Sequence, residues 1–166
     1  MGAGKSTLGK KLAQLLHHAF ADLDKTIEQG EGKSITNLFQ DHGEDHFRQL
    51  ESLYLNQLLT SPGPLVVALG GGTVCFNQWH EKLTRAGILI YLEMPASALV
   101  RRLRQKKQER PLIKEKTEQE LLVYIQQTLT QREPFYKAAQ LQIPALHLTP
   151  QLLLHAILDY TEKNKT

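Results

Sequence analysis

Met1-Gly2-Ala3-Gly4-Lys5-Ser6-Thr7-Leu8, residues 1–8 of a 166-residue chain, carries the second half of the phosphate-binding pattern G-x-x-x-x-G-K-[ST], with Gly4, Lys5 and Ser6 in the last three places. Beyond it Leu8, Leu12, Leu15 and Leu16 fall on one face at helical spacing, with Lys10, Lys11 and Gln14 largely opposite, so a helix starts inside the loop. Successive backbone N–H groups of Gly2 to Thr7 then point into one concavity at a helix N-terminus, where the dipole and orphan donors favour phosphate. Lys5 adds a mobile positive charge toward β- and γ-phosphates, and the hydroxyl of Ser6 or Thr7 can ligate Mg²⁺. The bland alternative is a small-residue turn that only opens a helix. Gly-Lys-Ser-Thr running directly into an amphipathic helix is, however, the context the motif requires. Such a loop links a buried strand to a helix, and here the first Gly of the pattern would lie before Met1. The expectation is a functional polypeptide starting about ten residues upstream.

Working outward, a chain that is 41% hydrophobic and 22% charged, with one Cys, reads as a single soluble globular domain and excludes collagen, disorder and a disulfide scaffold. The net charge of +3 suits anionic small molecules as well as nucleic acid. Lys and Arg are interspersed with acids and no aromatic-basic stripe appears, so no nucleic-acid partner is expected. Cys75 lacks a partner for an intrachain disulfide, which fits packing in a reducing cytosol. No run approaches the ~18 apolar residues of a membrane span, and a cytoplasmic protein with no membrane partner is expected.

Along the chain, Ala19 to Asp22 reads as a short strand. Residues 25–59 read as helical, interrupted at 30–32 and 41–43, with Ser34 opening one helix and Phe47, Leu50, Leu53, Tyr54 and Leu58 inward in the next. Leu65 to Leu69 and Ile88 to Leu92 are continuous apolar runs without polar alternation, as in parallel strands covered on two faces. Helices are expected over 77–86, 95–104, 117–131, where Thr117 and Glu120 form a capping box, and 149–160, with Leu152 and Leu153 among its inward residues. Leu141 to Ile143 suggests an edge strand. This alternation implies an α/β fold with a parallel sheet and helices on both faces.

Asp22 and Asp24, flanking Leu23, would lie on one side of an extended backbone at the strand end where ligands bind in parallel sheets. Asp22 could hold a Mg²⁺ water and Asp24 a substrate hydroxyl; an N-cap for the following helix is the competing reading. Arg48 alone is no more than a surface cation. Three glycines after a buried strand are more telling, since Gly71 and Gly72 let the backbone approach a ligand.

Taken in order, GAGKST, Phe20 with Asp22-x-Asp24, GKSITNLF, GEDHFRQLE, ALGGGTV, Arg110-Pro111-Leu112 and REPFYKAA resemble the shikimate kinase family over nearly the whole chain. The resemblance implies a three-layer P-loop NTPase fold with a central parallel sheet, helices on both faces and a mobile lid at about 105–116. The first strand of such a fold, missing from this sequence, would sit at the centre of the sheet beside the strands ending at Asp22 and Leu69. The resemblance implies one domain spanning 1–166, with a substrate-binding helical region at about 25–59. It implies that Gly2, Ala3, Gly4, Lys5, Ser6 and Thr7 hold ATP phosphates and that Ser6, with Asp22 through water, holds Mg²⁺. Asp24 would contact the ring hydroxyls, including the attacking one. Arg48 and Arg132, with the Gly71-Gly72 backbone, would bind shikimate, and Arg110 would close over ATP. Lys5, Asp24 and Arg110 would carry catalysis in a monomer. Arg suits this task because its fork presents paired donors to a carboxylate. Gln140 stands where the family usually has an acid, and 144–150 lacks the charged run often near adenine, so no adenine contact is expected by name. The rival readings are a non-catalytic shikimate-binding relative and another small kinase, such as one acting on gluconate.

Overall fold

The computed structural model describes residues 2–105 and 116–164. The chain divides into two compact units, one comprising 1–3 and 80–148, the other 4–79 and 149–166.

In the second unit, α1 (Lys5–Leu16) runs into β1 (Ala19–Asp22), followed by α2 (Leu23–Glu31), α3 (Ile35–Leu59) and β2 (Leu65–Ala68). Ser34 caps α3 by accepting from Asn37 N at 3.2 Å, as its sequence position predicts. The interruption expected at 41–43 is present as a kink within α3: Gly43, at φ 79° and ψ −178°, leaves the helical region between two helical stretches, which a residue without Cβ does cheaply. α2 and α3 pack closely because Gly30 has no side chain; a Cβ there would lie 2.0 Å from Tyr54 Oη, which instead donates to Glu31 at 2.8 Å. Leu23, Ile27, Leu38 and Leu55 are fully buried, whereas Leu53, expected inward, is 52% exposed. Its neighbours at helical spacing had allowed either face.

β1 and β2 pair directly and in parallel, Ala19 with Leu65 through Asp22 with Ala68. The strands ending at Asp22 and in the Ala68-Leu69 region are thus each other's neighbours, so a strand expected upstream would not lie between them. α7 (Pro150–Lys163), capped by Thr149, packs on α1; Leu153 is buried, while Leu152, also expected inward, is 55% exposed.

The other unit contains α4 (Trp79–Ala86, from its second residue), β3 (Ile90–Glu93), α5 (Ala96–Gln105), α6 (Glu118–Lys137) and β4 (Leu141–Pro144), with β3 and β4 parallel. Its core is Met94, Leu99, Val100, Leu103, Leu121 and Ile125. Thr117 and Glu120 form the expected capping box, and α6 continues past 131 to Lys137 with Pro134 inside it. Gln140 is accounted for structurally: its amide accepts from Leu89 N at 2.7 Å and donates to the carbonyls of Thr84 and Gly87 at 3.0 and 3.1 Å. A carboxylate could accept the first bond but donate neither of the others.

Both strand pairs are parallel as expected, but their residues are mostly half-buried rather than enclosed. No helix among the described residues is long and apolar enough to cross a membrane.

Candidate active site

α1 begins at Lys5 with Gly4 as N-cap, at φ 88°, and no side chain caps it. The first-turn N–H groups, including those of Ser6 and Thr7, lack intrahelical acceptors, which is the arrangement that receives phosphate. Just upstream, Gly2 takes φ 74°, a Cβ there would meet Leu103 Cγ at 3.2 Å, and the Ala3 carbonyl accepts from Arg102 Nη1 at 3.2 Å. A side chain on α5 therefore holds the loop backbone, a role its sequence position did not reveal.

β1 delivers Asp22 beside this helix. The Ser6 hydroxyl donates to Asp22 Oδ2, Asp22 Oδ1 accepts from Lys25 N at 3.4 Å, and the Asp22 carbonyl accepts from the Thr26 hydroxyl at 2.9 Å. Asp22 is thus both the cap of α2 and the hydrogen-bond partner of Ser6, with a different carboxylate oxygen in each role. Asp24 differs from expectation: it lies in the first turn of α2, not on the extended strand with Asp22. Helix formation begins at Leu23, so Asp24 follows helical rather than strand periodicity.

The hydroxyl–carboxylate pair of Ser6 and Asp22 offers hard oxygen donors, which fits Mg²⁺ when nucleotide phosphates complete its coordination. Among the described residues no cluster of three or more His, Cys, Asp or Glu could cage a metal by itself. An ion arriving with a nucleotide needs none.

The loop after β2 meets α2 and α3 at Gly70. A Cβ added to Gly70 would stand 3.0 Å from Asp24 Oδ1, Glu51 Oε1 and Thr73 Oγ1 alike. Glu51 is 2% exposed; it accepts from the Thr73 hydroxyl at 2.6 Å and from Arg48 Nη1 at 2.7 Å. Arg48, its side chain 13% exposed, stacks on Phe76 with Cζ 4.1 Å from the ring centroid, and a Cβ at Gly72 would approach Arg48 Nη2 to 2.8 Å. Far from a surface cation, Arg48 is an oriented guanidinium beside glycine backbone. Its buried pair with Glu51 makes it costly to leave either partner alone. Glu51, Phe76 and Thr73 were missed by sequence reasoning. The i,i+3 spacing of Arg48 and Glu51 was the available signal, whereas Phe76 is brought near only by the fold.

Lys5, Ser6, Asp22, Asp24, Arg48, Gly71 and Gly72 all lie in the unit of 4–79 and 149–166. Arg132 is half-buried on α6 in the other unit. Arg110 and most of the expected lid lie outside the described residues.

A model of the family described as Shikimate kinase matches residues 1–161. The chain belongs to the shikimate kinase family. A shikimate kinase from Phocaeicola vulgatus is 39% identical over 163 residues, covering 98% of this chain and 93% of that protein. One from Bacteroides fragilis is 42% identical over 139 residues, 84% of this chain and 77% of the other. The crystal structure of shikimate kinase from Bacteroides thetaiotaomicron matches with a TM-score of 0.88 at 37% identity, covering 100% of this chain and 94% of that one. Shikimate kinase from Acinetobacter baumannii in complex with shikimate matches at 0.85 and 34%, covering 99% and 90%. The fold is that of the P-loop shikimate kinases, and the enzyme is an ATP-dependent shikimate kinase.

Proposed function

We propose that this kinase transfers the γ-phosphoryl group of ATP to the 3-hydroxyl of shikimate, giving shikimate 3-phosphate and ADP, with a division of labour set by its own residues. The backbone of Gly2 to Thr7 and the Lys5 ammonium bind the ATP phosphates. Ser6, with Asp22 through water, would hold Mg²⁺, which would supply positive charge toward the ATP phosphates. Asp24 accepts hydrogen bonds from the ring hydroxyls and takes the proton of the attacking one. Arg48 and Arg132, with the backbone of Gly71 and Gly72, hold the carboxylate end, and Arg110 closes over ATP within the 105–116 segment. Phosphoryl transfer asks chiefly for positioning and charge stabilisation, which Lys5 and Arg110 provide. Residues 1–166 act as one kinase domain, in a cytoplasmic monomer.

The observation that carries this reading is the Arg48 cradle. Glu51, Phe76 and the backbone at Gly72 fix the guanidinium, and Gly70 brings Asp24 to the same loop. Such a site supplies a fork for a carboxylate and an acceptor for hydroxyls, the two ends of a carboxylated triol.

The test is ADP release with shikimate, gluconate and nucleoside monophosphates as acceptors. Turnover is expected with shikimate; turnover with gluconate and none with shikimate would reverse the assignment. Arg110→Ala is expected to lower kcat by on the order of 10³-fold, by analogy with arginine fingers. Arg48→Ala and Arg132→Ala should instead raise the shikimate KM at similar ATP affinity.

A further inference from the structure

Arg48 is held from two sides by carboxylates of different character. Glu51 takes Nη1 from the buried side and is itself fixed by Thr73. Glu44 Oε1 accepts from both Nε, at 3.2 Å, and Nη2, at 2.9 Å, and so covers another edge of the fork. Unlike Glu51, the Glu44 side chain is 55% exposed. It also follows directly on Gly43, where α3 leaves helical geometry and where a Cβ would find nothing within 4 Å. One carboxylate is built in; the other is half exposed and follows a kink.

We propose that Glu44 is an exchangeable stand-in for the acceptor's carboxylate: it covers the Nε/Nη2 edge of Arg48 until a carboxylate-bearing substrate displaces it. This rests on reading Arg48 as the carboxylate site of the acceptor. Glu51 cannot serve as the exchangeable group, because removing a buried partner strands a buried charge. Glu44 can leave, because its carboxylate returns to water. An exposed i,i+4 pair is weak, so exchange costs the substrate a factor of about 2–5 in affinity. The gain is selectivity. A neutral polyol offers no charge to replace Glu44 and leaves the edge closed, whereas a carboxylate takes over both N–H groups with a charge of the same sign. Glu44 is therefore a specificity residue acting through Arg48 and does not touch the reacting atoms.

The experiment compares the wild-type enzyme with Glu44→Gln and Glu44→Ala, after thermal melts establish that each folds. Calorimetric titration with shikimate and steady-state kinetics at saturating ATP should show Kd and KM falling about 2–5-fold in both variants, with kcat moving less than twofold. Acetate, a bare carboxylate, should become a better competitor of shikimate. Phenylglyoxal modification of Arg48, followed by mass spectrometry, reads the same edge without shikimate and should run faster in both variants. A raised or unchanged KM together with an unchanged modification rate would overturn the proposal and leave Glu44 as scaffold. Faster modification in variants of an enzyme that binds no shikimate would keep Glu44 as the cover of Arg48 but refute both its exchange with shikimate and the acceptor reading beneath it.

Discussion

Gly72 limits how closely α3 can bring its guanidinium to the loop after β2. Gly72→Ala places a methyl 2.8 Å from Arg48 Nη2, so Arg48 has to move. Losing one charge-assisted bond to the acceptor is worth about 1.5 kcal/mol, so the shikimate KM should rise about tenfold with the ATP KM within twofold. Steady-state kinetics with each substrate varied checks this, and an unaltered shikimate KM would remove Arg48 from the acceptor site. At this scale the sequence was read unevenly. Lys5, Ser6 and Asp22 were legible because a contiguous motif and a strand end announce them. Arg48 acquired meaning only through family resemblance, since the buried Glu51 and the ring of Phe76 that orient it are set by packing. Gly70 was read only as the first of three glycines and given no role, because its need for smallness comes from Asp24, Glu51 and Thr73 converging on it.

Among the elements, α6 shows how a short signal can be read completely. Thr117 and Glu120 bond each other's backbone N–H groups as the spacing predicts. Thr117→Ala should cost about 1 kcal/mol, lowering Tm by roughly 2–4 °C. The bonds from the Thr117 N–H and hydroxyl hold the Glu120 carboxyl below its usual value. A carboxyl depressed in the folded state adds stability above its unfolded pKa, about 4.3, and loses it as pH falls through the folded value. Thermal melts should therefore show the gap between wild type and Thr117→Ala narrowing below about pH 4. Other element-level features were less legible. Leu152 and Leu153 are adjacent and both apolar, and only the packed structure separates the exposed one from the buried one. The interruption read at 41–43 was legible: Gly43 leaves helical geometry there, and the apolar face resumes beyond it with Phe47.

For the whole molecule, the alternation of apolar runs with amphipathic segments was enough to expect parallel strands and the helices between them. Which strands pair was not. Runs apolar throughout lack the period-two pattern that sets register and names a neighbour, so the direct pairing of β1 with β2 emerges only in the fold. The packing of α1 on α7 bears on how the protein is made. α1 rests on a helix that leaves the ribosome much later. At about 5–20 residues per second, roughly 7–30 s separate their synthesis. Throughout that interval α1, which carries Leu12 and Ala13, lacks one of the surfaces that cover it. Ribosome-stalled chains ending before Thr149 should therefore be cleaved within α1 by added protease, and released full-length chains should not; equal protection in both would show that α1 settles without α7. Until that late helix emerges, β1 and β2 are the surfaces against which α1 can settle, so the last stage of its burial is post-translational in character.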